Sequence, residues 1–287
     1  MPQPPGFPAP DTGFRRRILD PPPSPVVLSV PHAGTVTAGF DAPLVAGLDV
    51  RCDADLLVDG LYGIAEGDAP GDGPRTASWV AARTSRFICD LNRHFDDVSP
   101  AVVPEHPAPR NRDGRGFVWA VTTTGAPALA RPLTLAEWEA RRAVHAAYHG
   151  EIAACLARAK QRFGFAVLVD GHSMPSVGRS GHTDPGRARA DVVPGDRDGG
   201  SCAPALSRLV EAHFRARGFS VASNDPYKGG FITTDHGRPQ AGVHAIQIEL
   251  RRDLYMDETT YAPKPEGFAR LQRTLADLLA ALDAFRP

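Results

Sequence analysis

Phe165-Ala166-Val167-Leu168-Val169-Asp170-Gly171-His172-Ser173 decides the reading of this chain, because five apolar residues run directly into Asp-Gly-His-Ser. Near-continuous apolar content predicts a central parallel strand covered on both faces. A histidine just behind it would stand at the carboxyl edge of an open α/β sheet, where such folds keep their sites. Working outward, the layout recurs at Val26-Val27-Leu28-Ser29-Val30, which leads into Pro31-His32-Ala33-Gly34. A third strand-like run, Val243-His244-Ala245-Ile246-Gln247-Ile248-Glu249-Leu250, ends on a carboxylate. Fold and function turn on whether these three edges meet.

The segments between supply the helices. Residues 1–25, rich in Pro and Arg, read as an N-terminal extension lying on the surface before the first strand. Leu56, Leu57, Leu61 and Ile64 suggest a helix from about Ala54, with Asp53 near its cap and with Asp55 and Asp59 on one face. A turn-rich break follows at 67–75, then a short strand at 79–82. Alternation over 86–93 predicts an extended segment that puts Asp90 and Asn92 on one face. Residues 96–113 read as an extended loop, with a weak strand at 117–122. The clearest helix covers 134–162, where Thr134 and Glu137 fit a capping box. A Gly-, Asp- and Arg-rich loop spans 176–200, a length usually tied to function or mobility. Beyond it come a helix at 203–217 with Pro204 in its first turn, a short strand at 219–222, edge structure at 229–234, and a strand at 241–250. The final helix at 263–286 has a core stripe of Phe268, Leu271, Leu275, Leu278 and Leu282.

Composition narrows the class. At 287 residues one domain is the default, and 32 Lys plus Arg against 33 Asp plus Glu gives a net charge of -1, without the basic excess of a nucleic-acid surface. No apolar run is long enough for a membrane span, and the first ten residues resemble neither a secretory signal nor an anchor. Cys52, Cys89, Cys155 and Cys202 are scattered without a Cys-x-x-Cys, as buried thiols of a reducing, cytoplasmic compartment would be.

Zn²⁺ in hydrolytic sites takes three His or carboxylate ligands and keeps a position for water. His32 and His172 supply nitrogens, and Asp55, or else Asp53, supplies oxygen. Glu249, at the end of an apolar run, is placed to act as a base whose partial burial keeps its pKa high. Asp170 is a candidate to orient an imidazole and fix its tautomer. Gly34 and Gly171 let backbone and substrate come close to the two histidines.

Pro31-His32-Ala33-Gly34-Thr35, Asp53-Ala54-Asp55, the run Thr84 through Arg93, and Asp170-Gly171-His172-Ser173 resemble the N-formylglutamate amidohydrolase (deformylase) family in order and spacing. So do Asp198-Gly199-Gly200-Ser201-Cys202, Lys228-Gly229-Gly230-Phe231-Ile232-Thr233, and the tail from Gly242 to Glu258, so that the likeness spans about residues 26–260. This resemblance implies a catalytic domain over 26–287: a single α/β domain with a mixed central sheet flanked by helices, similar to zinc carboxypeptidases. It implies hydrolysis of N-formyl-L-glutamate to glutamate and formate in histidine degradation, with one zinc ion on His32, His172 and an acid of the Asp53/Asp55 pair. Glu249 would be the base, and Asn92 and Arg93 would lie near substrate.

Formylglutamate carries two carboxylates, which suit Arg forks. Arg93 is the first candidate, Arg86 the second, and Arg251 a third, while Arg252 reads as surface. Lys228 is a candidate to contact substrate or stabilise developing negative charge. The same ligands also accept Co²⁺ or Fe²⁺. Residues 96–116 lack the Gly- and Cys-containing stretch expected of histidine-pathway deformylases, and Asp235-His236-Gly237 stands where a His-Tyr-Gly type sequence is expected. A related N-acyl or N-formyl amino acid therefore stays open as substrate, as do a non-hydrolytic ligand-binding relative and an amidase or peptidase for longer substrates. The partner is a small molecule, on a monomer or homodimer, with no nucleic acid and no membrane.

Overall fold

The computed structural model describes residues 13–40, 42–64, 73–110 and 113–287. Among these, β1 (Phe14–Arg17), β2 (Val26–Val30), β3 (Ser78–Ala82), β4 (Ala166–Met174), β5 (Val192–Gly195) and β6 (Val243–Arg251) form one sheet in the order β1-β3-β2-β4-β6-β5. The inner strands β3, β2, β4 and β6 are parallel, and β1 and β5 close the two edges antiparallel. The sheet is therefore mixed, with its parallel part central.

Strand alternation sorts the apolar side chains onto two faces. Val26, Leu28, Val30, Val167, Val169, Ile246 and Ile248 pack with residues of α1 (Val58–Leu61), α3 (Pro204–Arg215) and α5 (Pro265–Asp283). Val27, Val80, Leu168 and Ala245 pack instead with α2 (Leu135–Phe163) and Ile232 of α4 (Phe231–His236). Helices on both sides explain why the central strands read as continuous apolar runs. The Thr134–Glu137 capping box forms, with Thr134 Oγ1 accepting from Glu137 N at 3.2 Å and Glu137 Oε2 accepting from Thr134 N at 2.7 Å. Gly164, left-handed at φ 82°, ends that helix. Of the α5 stripe, Leu271, Leu275, Leu278 and Leu282 are buried in the core, and Phe268 is only partly buried against it. All four cysteines are free thiols, and no helix among the described residues is long and apolar enough to cross a membrane.

Several local expectations are corrected. The stretch read as a surface extension contains β1, paired with β3 from Phe14 to Arg17; the expected break at 67–75 lies, up to residue 72, outside the described residues. No helix starts at Ala54: a 3₁₀ turn covers Val50–Asp53, and Leu57 at φ 66° interrupts the chain before the single turn of α1. Asp55 lies between, its amide donating to His32 O at 2.9 Å, so it faces the end of β2 while Asp59 pairs with Arg15 elsewhere. Residues 86–93 are turns, not a strand. The Asp90 carboxylate takes hydrogen bonds from Asn92 N and from Arg86 four residues earlier, contacts that compete with an extended ladder. The segment 117–122 and residue 221 make only isolated bridges. Residues 231–236 are helix, and the long loop contains β5.

Candidate metal and catalytic site

The carboxyl ends of β2, β4 and β6 meet. In parallel register Ser29 stands opposite Asp170, Asp170 opposite Gln247, and His172 opposite Glu249. Because side chains two apart share a face, Asp170, His172, Gln247 and Glu249 stack on one side of the sheet. On the opposite, α1 face the packing is close: a Cβ on Gly171 would come 2.4 Å from the Tyr62 ring.

His32, Asp55 and His172, all buried, bring their ligand atoms within 4.8 Å of one another. Each imidazole is anchored from behind by a carboxylate. His32 Nε2 lies 2.7 Å from Asp90 Oδ1, and His172 Nε2 lies 2.9 Å from Asp170 Oδ2. An ionised carboxylate only accepts, so Nε2 carries the proton on both rings and the two Nδ1 lone pairs point forward. They face Asp55 Oδ2 at 3.6 Å from His32 and 3.0 Å from His172. Arg252 holds the other Asp55 oxygen at 2.9 Å and also donates to Ser173 Oγ at 3.1 Å. These three atoms form a ligand set of the kind that holds a metal ion.

The charges agree. Burial opposes ionisation of Asp55, but the His172 and His32 rings that face it, aided by Arg252, hold its carboxyl well below the usual range. Burial likewise opposes ionisation of Asp90, yet His32 and Arg86 keep it well below that range. Burial disfavours a charged His172, but Asp170, with Asp55 and Glu249, raises its proton affinity well above that of a free imidazole. Asp55, Asp90, Asp170 and Glu249 face two guanidiniums, Arg86 and Arg252. Four carboxyl groups against two guanidiniums, around two imidazoles, suit a divalent cation.

Glu249 has a different environment. Oε1 accepts from Gln247 Nε2 at 2.9 Å, while Oε2 is buried with no hydrogen-bond partner among the described residues. Burial pushes its carboxyl up to about 7, against the pull of His172. It lines, with His32, Asp55 and His172, a cleft of about 400 Å³.

The remaining predicted residues divide. Asp53 lines the cleft but stands outside the ligand group: it accepts from Thr123 N at 2.9 Å and from Arg179 at 2.8 Å. That pair ties residue 179 of the long loop to the body, and Gly181 N adds a bond to Thr123 O at 2.9 Å. Asn92 supports the site, with Oδ1 accepting from Ile232 N at 2.8 Å and Nδ2 reaching Asp170 and Gln247 at 3.4 Å. Arg93 lines the cleft and, among the described residues, donates only to Asn92 O, at 3.1 Å. Arg86 is committed to Asp90 at 2.8 Å, stacked over Trp119 at 4.2 Å. Lys228 is exposed and pairs with Asp198 at 2.8 Å. Arg251 is bound by Asp191 and Asp253, outside the cleft lining.

Sequence reasoning missed Asp90 as the partner of His32, and it placed Arg252 on the surface, although Arg252 is only 5% exposed. The Arg86-to-Asp90 spacing of four was the available signal for the first; nothing local marks the second. A further group, His149, Asp235 and His236, also lies at ligand spacing. His149 Nε2 donates to Leu91 O at 2.9 Å, so its Nδ1 accepts from His236 Nε2 at 2.9 Å. Burial lowers the proton affinity of both rings. One turn earlier on α2, His145 Nε2 donates to Arg93 O at 2.9 Å. These two α2 histidines hold the carbonyls on either side of Asn92.

A family model described as N-formylglutamate amidohydrolase matches residues 24–256. The chain belongs to the N-formylglutamate amidohydrolase family. An N-formylglutamate deformylase of Pseudomonas aeruginosa is 36% identical over 267 residues, covering 91% of this chain and 93% of the relative. One from Pseudomonas putida is 33% identical over the same shares. A crystal structure of an N-formylglutamate amidohydrolase from Ralstonia eutropha JMP134 superposes with a TM-score of 0.82 at 35% identity, covering 95% of this chain and 97% of that one. A solved structure from Agrobacterium tumefaciens, at 20% identity and a TM-score of 0.62, shares the fold. The amidohydrolase family match runs from just before β2 to just beyond β6, and so contains every site residue described above.

Proposed function

We propose that the protein hydrolyses the formamide C–N bond of N-formyl-L-glutamate, giving formate and glutamate, with one zinc ion held by His32, His172 and Asp55. The carrying observation is the convergence of two Nδ1 atoms and one carboxylate oxygen beside Glu249, a buried carboxyl with one oxygen unpartnered. The names of the curated relatives supply the substrate, and the ligand set of two imidazoles and a carboxylate supports the metal. Four free thiols suit a cytoplasmic setting in histidine breakdown.

A divalent cation in this place polarises a carbonyl oxygen and acidifies water. The chain's own groups do the rest. Arg93, free of any carboxylate partner among the described residues, binds a substrate carboxylate and orients the formyl group toward His32 and His172. Glu249 accepts a proton from the attacking water as oxygen bonds to the formyl carbon. It then delivers that proton to the departing nitrogen as the C–N bond breaks, a double duty suited to a carboxyl near pH 7. Arg252 and the Asp90 and Asp170 carboxylates keep the three ligand side chains in place.

Metal analysis joined to a formate assay tests this reading, with N-formylglutamate, N-formylaspartate, N-acetylglutamate and small dipeptides as substrates. Formate release that tracks zinc content is expected with N-formylglutamate as the best substrate. No release from either formyl compound by metal-loaded protein defeats it.

A further inference from the structure

We propose that Arg115 is the specificity-determining residue that takes the side-chain carboxylate of the substrate, leaving the α-carboxylate to Arg93. This rests on the deformylase reading and adds the residue that would make the site prefer an acidic amino acid.

The described guanidinium and ammonium groups lining the cleft are those of Arg86, Arg93, Arg115, Lys228 and Arg252. Three are already neutralised, Arg86 by Asp90, Arg252 by Asp55 and Lys228 by Asp198. Arg93 donates only to a backbone carbonyl. Arg115 is half-buried, and its side chain has neither an ion pair nor a hydrogen bond among the described residues. Two uncommitted cations thus face one cleft, and N-formylglutamate carries two anions.

Position separates their tasks. Arg93 adjoins Asn92, whose side chain lies 3.1 Å from His172 Nε2, so Arg93 serves the carboxylate nearer the reacting carbon. Arg115 reaches the same cleft from a different segment, a turn bridged to Trp119, which in turn donates to Asp90 at 3.0 Å. The side-chain carboxyl of glutamate stands two methylenes beyond Cα and needs a cation other than the one that holds the α-carboxylate. Gly181 makes the space: a Cβ there would come 2.7 Å from Arg115 Nη1 and 2.7 Å from Thr123 O. Wedged against that backbone, a partly desolvated guanidinium without a counter-ion gains most from an anion delivered by the ligand.

The experiment compares kcat/KM for N-formyl-L-glutamate and N-formyl-L-glutamine in the wild type, R115Q and R115K, all metal-loaded. The ratio of acid to amide should fall roughly 10- to 100-fold in R115Q, as expected for a lost charge-assisted hydrogen bond, with the loss in KM and not in kcat. R115K, which keeps the charge without the fork, should recover part of the ratio. An unchanged ratio in R115Q, or an equal loss on both substrates, overturns the assignment. If wild type releases formate from neither substrate, the deformylase reading fails by itself. Calorimetric binding of L-glutamate against L-glutamine then tests Arg115 independently, and a preference retained in R115Q overturns it.

Discussion

Replacing Glu249 by Gln should lower turnover sharply and at the same time flatten the pH dependence of stability. The carboxyl ionises near 4.5 when unburied and at about 7 in the folded protein, chiefly because of burial. An acid whose folded pKa is raised contributes stability that is fully present below 4.5 and lost as pH rises through 7. Between pH 5 and pH 8 the loss amounts to roughly 2–3 kcal/mol, at 1.36 kcal/mol per pKa unit. Gln keeps the acceptor for Gln247 Nε2 but places an unpartnered NH₂ where Oε2 is buried, a penalty that does not vary with pH. Urea unfolding of the chelator-treated wild type and E249Q at both pH values therefore isolates the carboxyl. The wild type should lose about 2–3 kcal/mol more than the variant over that range.

Activity supplies the second half of the same experiment. Removing the general base should lower kcat about 10²- to 10⁴-fold while zinc stoichiometry is retained. A bound cation favours the ionised carboxylate, so the acidic limb of the wild-type kcat/KM profile should fall at or below about pH 7. Equal pH dependence of stability in the two proteins would refute the buried-acid reasoning. Wild-type turnover by E249Q would remove Glu249 from the mechanism and favour a binding protein.

Metal content measured on D55N and D53N should separate two acids that look alike in sequence. D55N should lose stoichiometric zinc, whereas D53N should keep it and raise KM through a loosened Arg179 contact; the opposite pattern would exchange their roles. Gly34→Ala should destabilise the protein by about 1–3 kcal/mol in urea unfolding, since its Cβ would come 2.4 Å from the Arg83 carbonyl. Wild-type stability of that variant would show the contact to be slack.

Where packing repeats along the chain, the sequence was a sufficient guide. Periodicity located β2, β4 and β6, the capping box located the start of α2, and the α5 stripe named four of its six buried residues. The failures lie where side chains, not periodicity, set the backbone. Asp90 draws bonds from His32, Arg86, Trp119 and its own Asn92 amide, which turns an apparently alternating segment into loops. Asp55 leaves any helix because its amide bonds to the end of β2.

By itself the sequence determined the chemistry on offer: two histidines and a glutamate at the ends of apolar strands, and a pair of aspartates two apart. Only the tertiary structure decided how they are used. Parallel register sets Glu249 beside His172, and Asp90 and Asp170 fix which nitrogen of each ring points forward. Arg252, remote in sequence, orients Asp55, while Arg179 claims Asp53. Apart from Asp170 with His172, two apart, such choices rest on contacts between residues 58 to 197 positions apart, which local propensity and spacing do not encode.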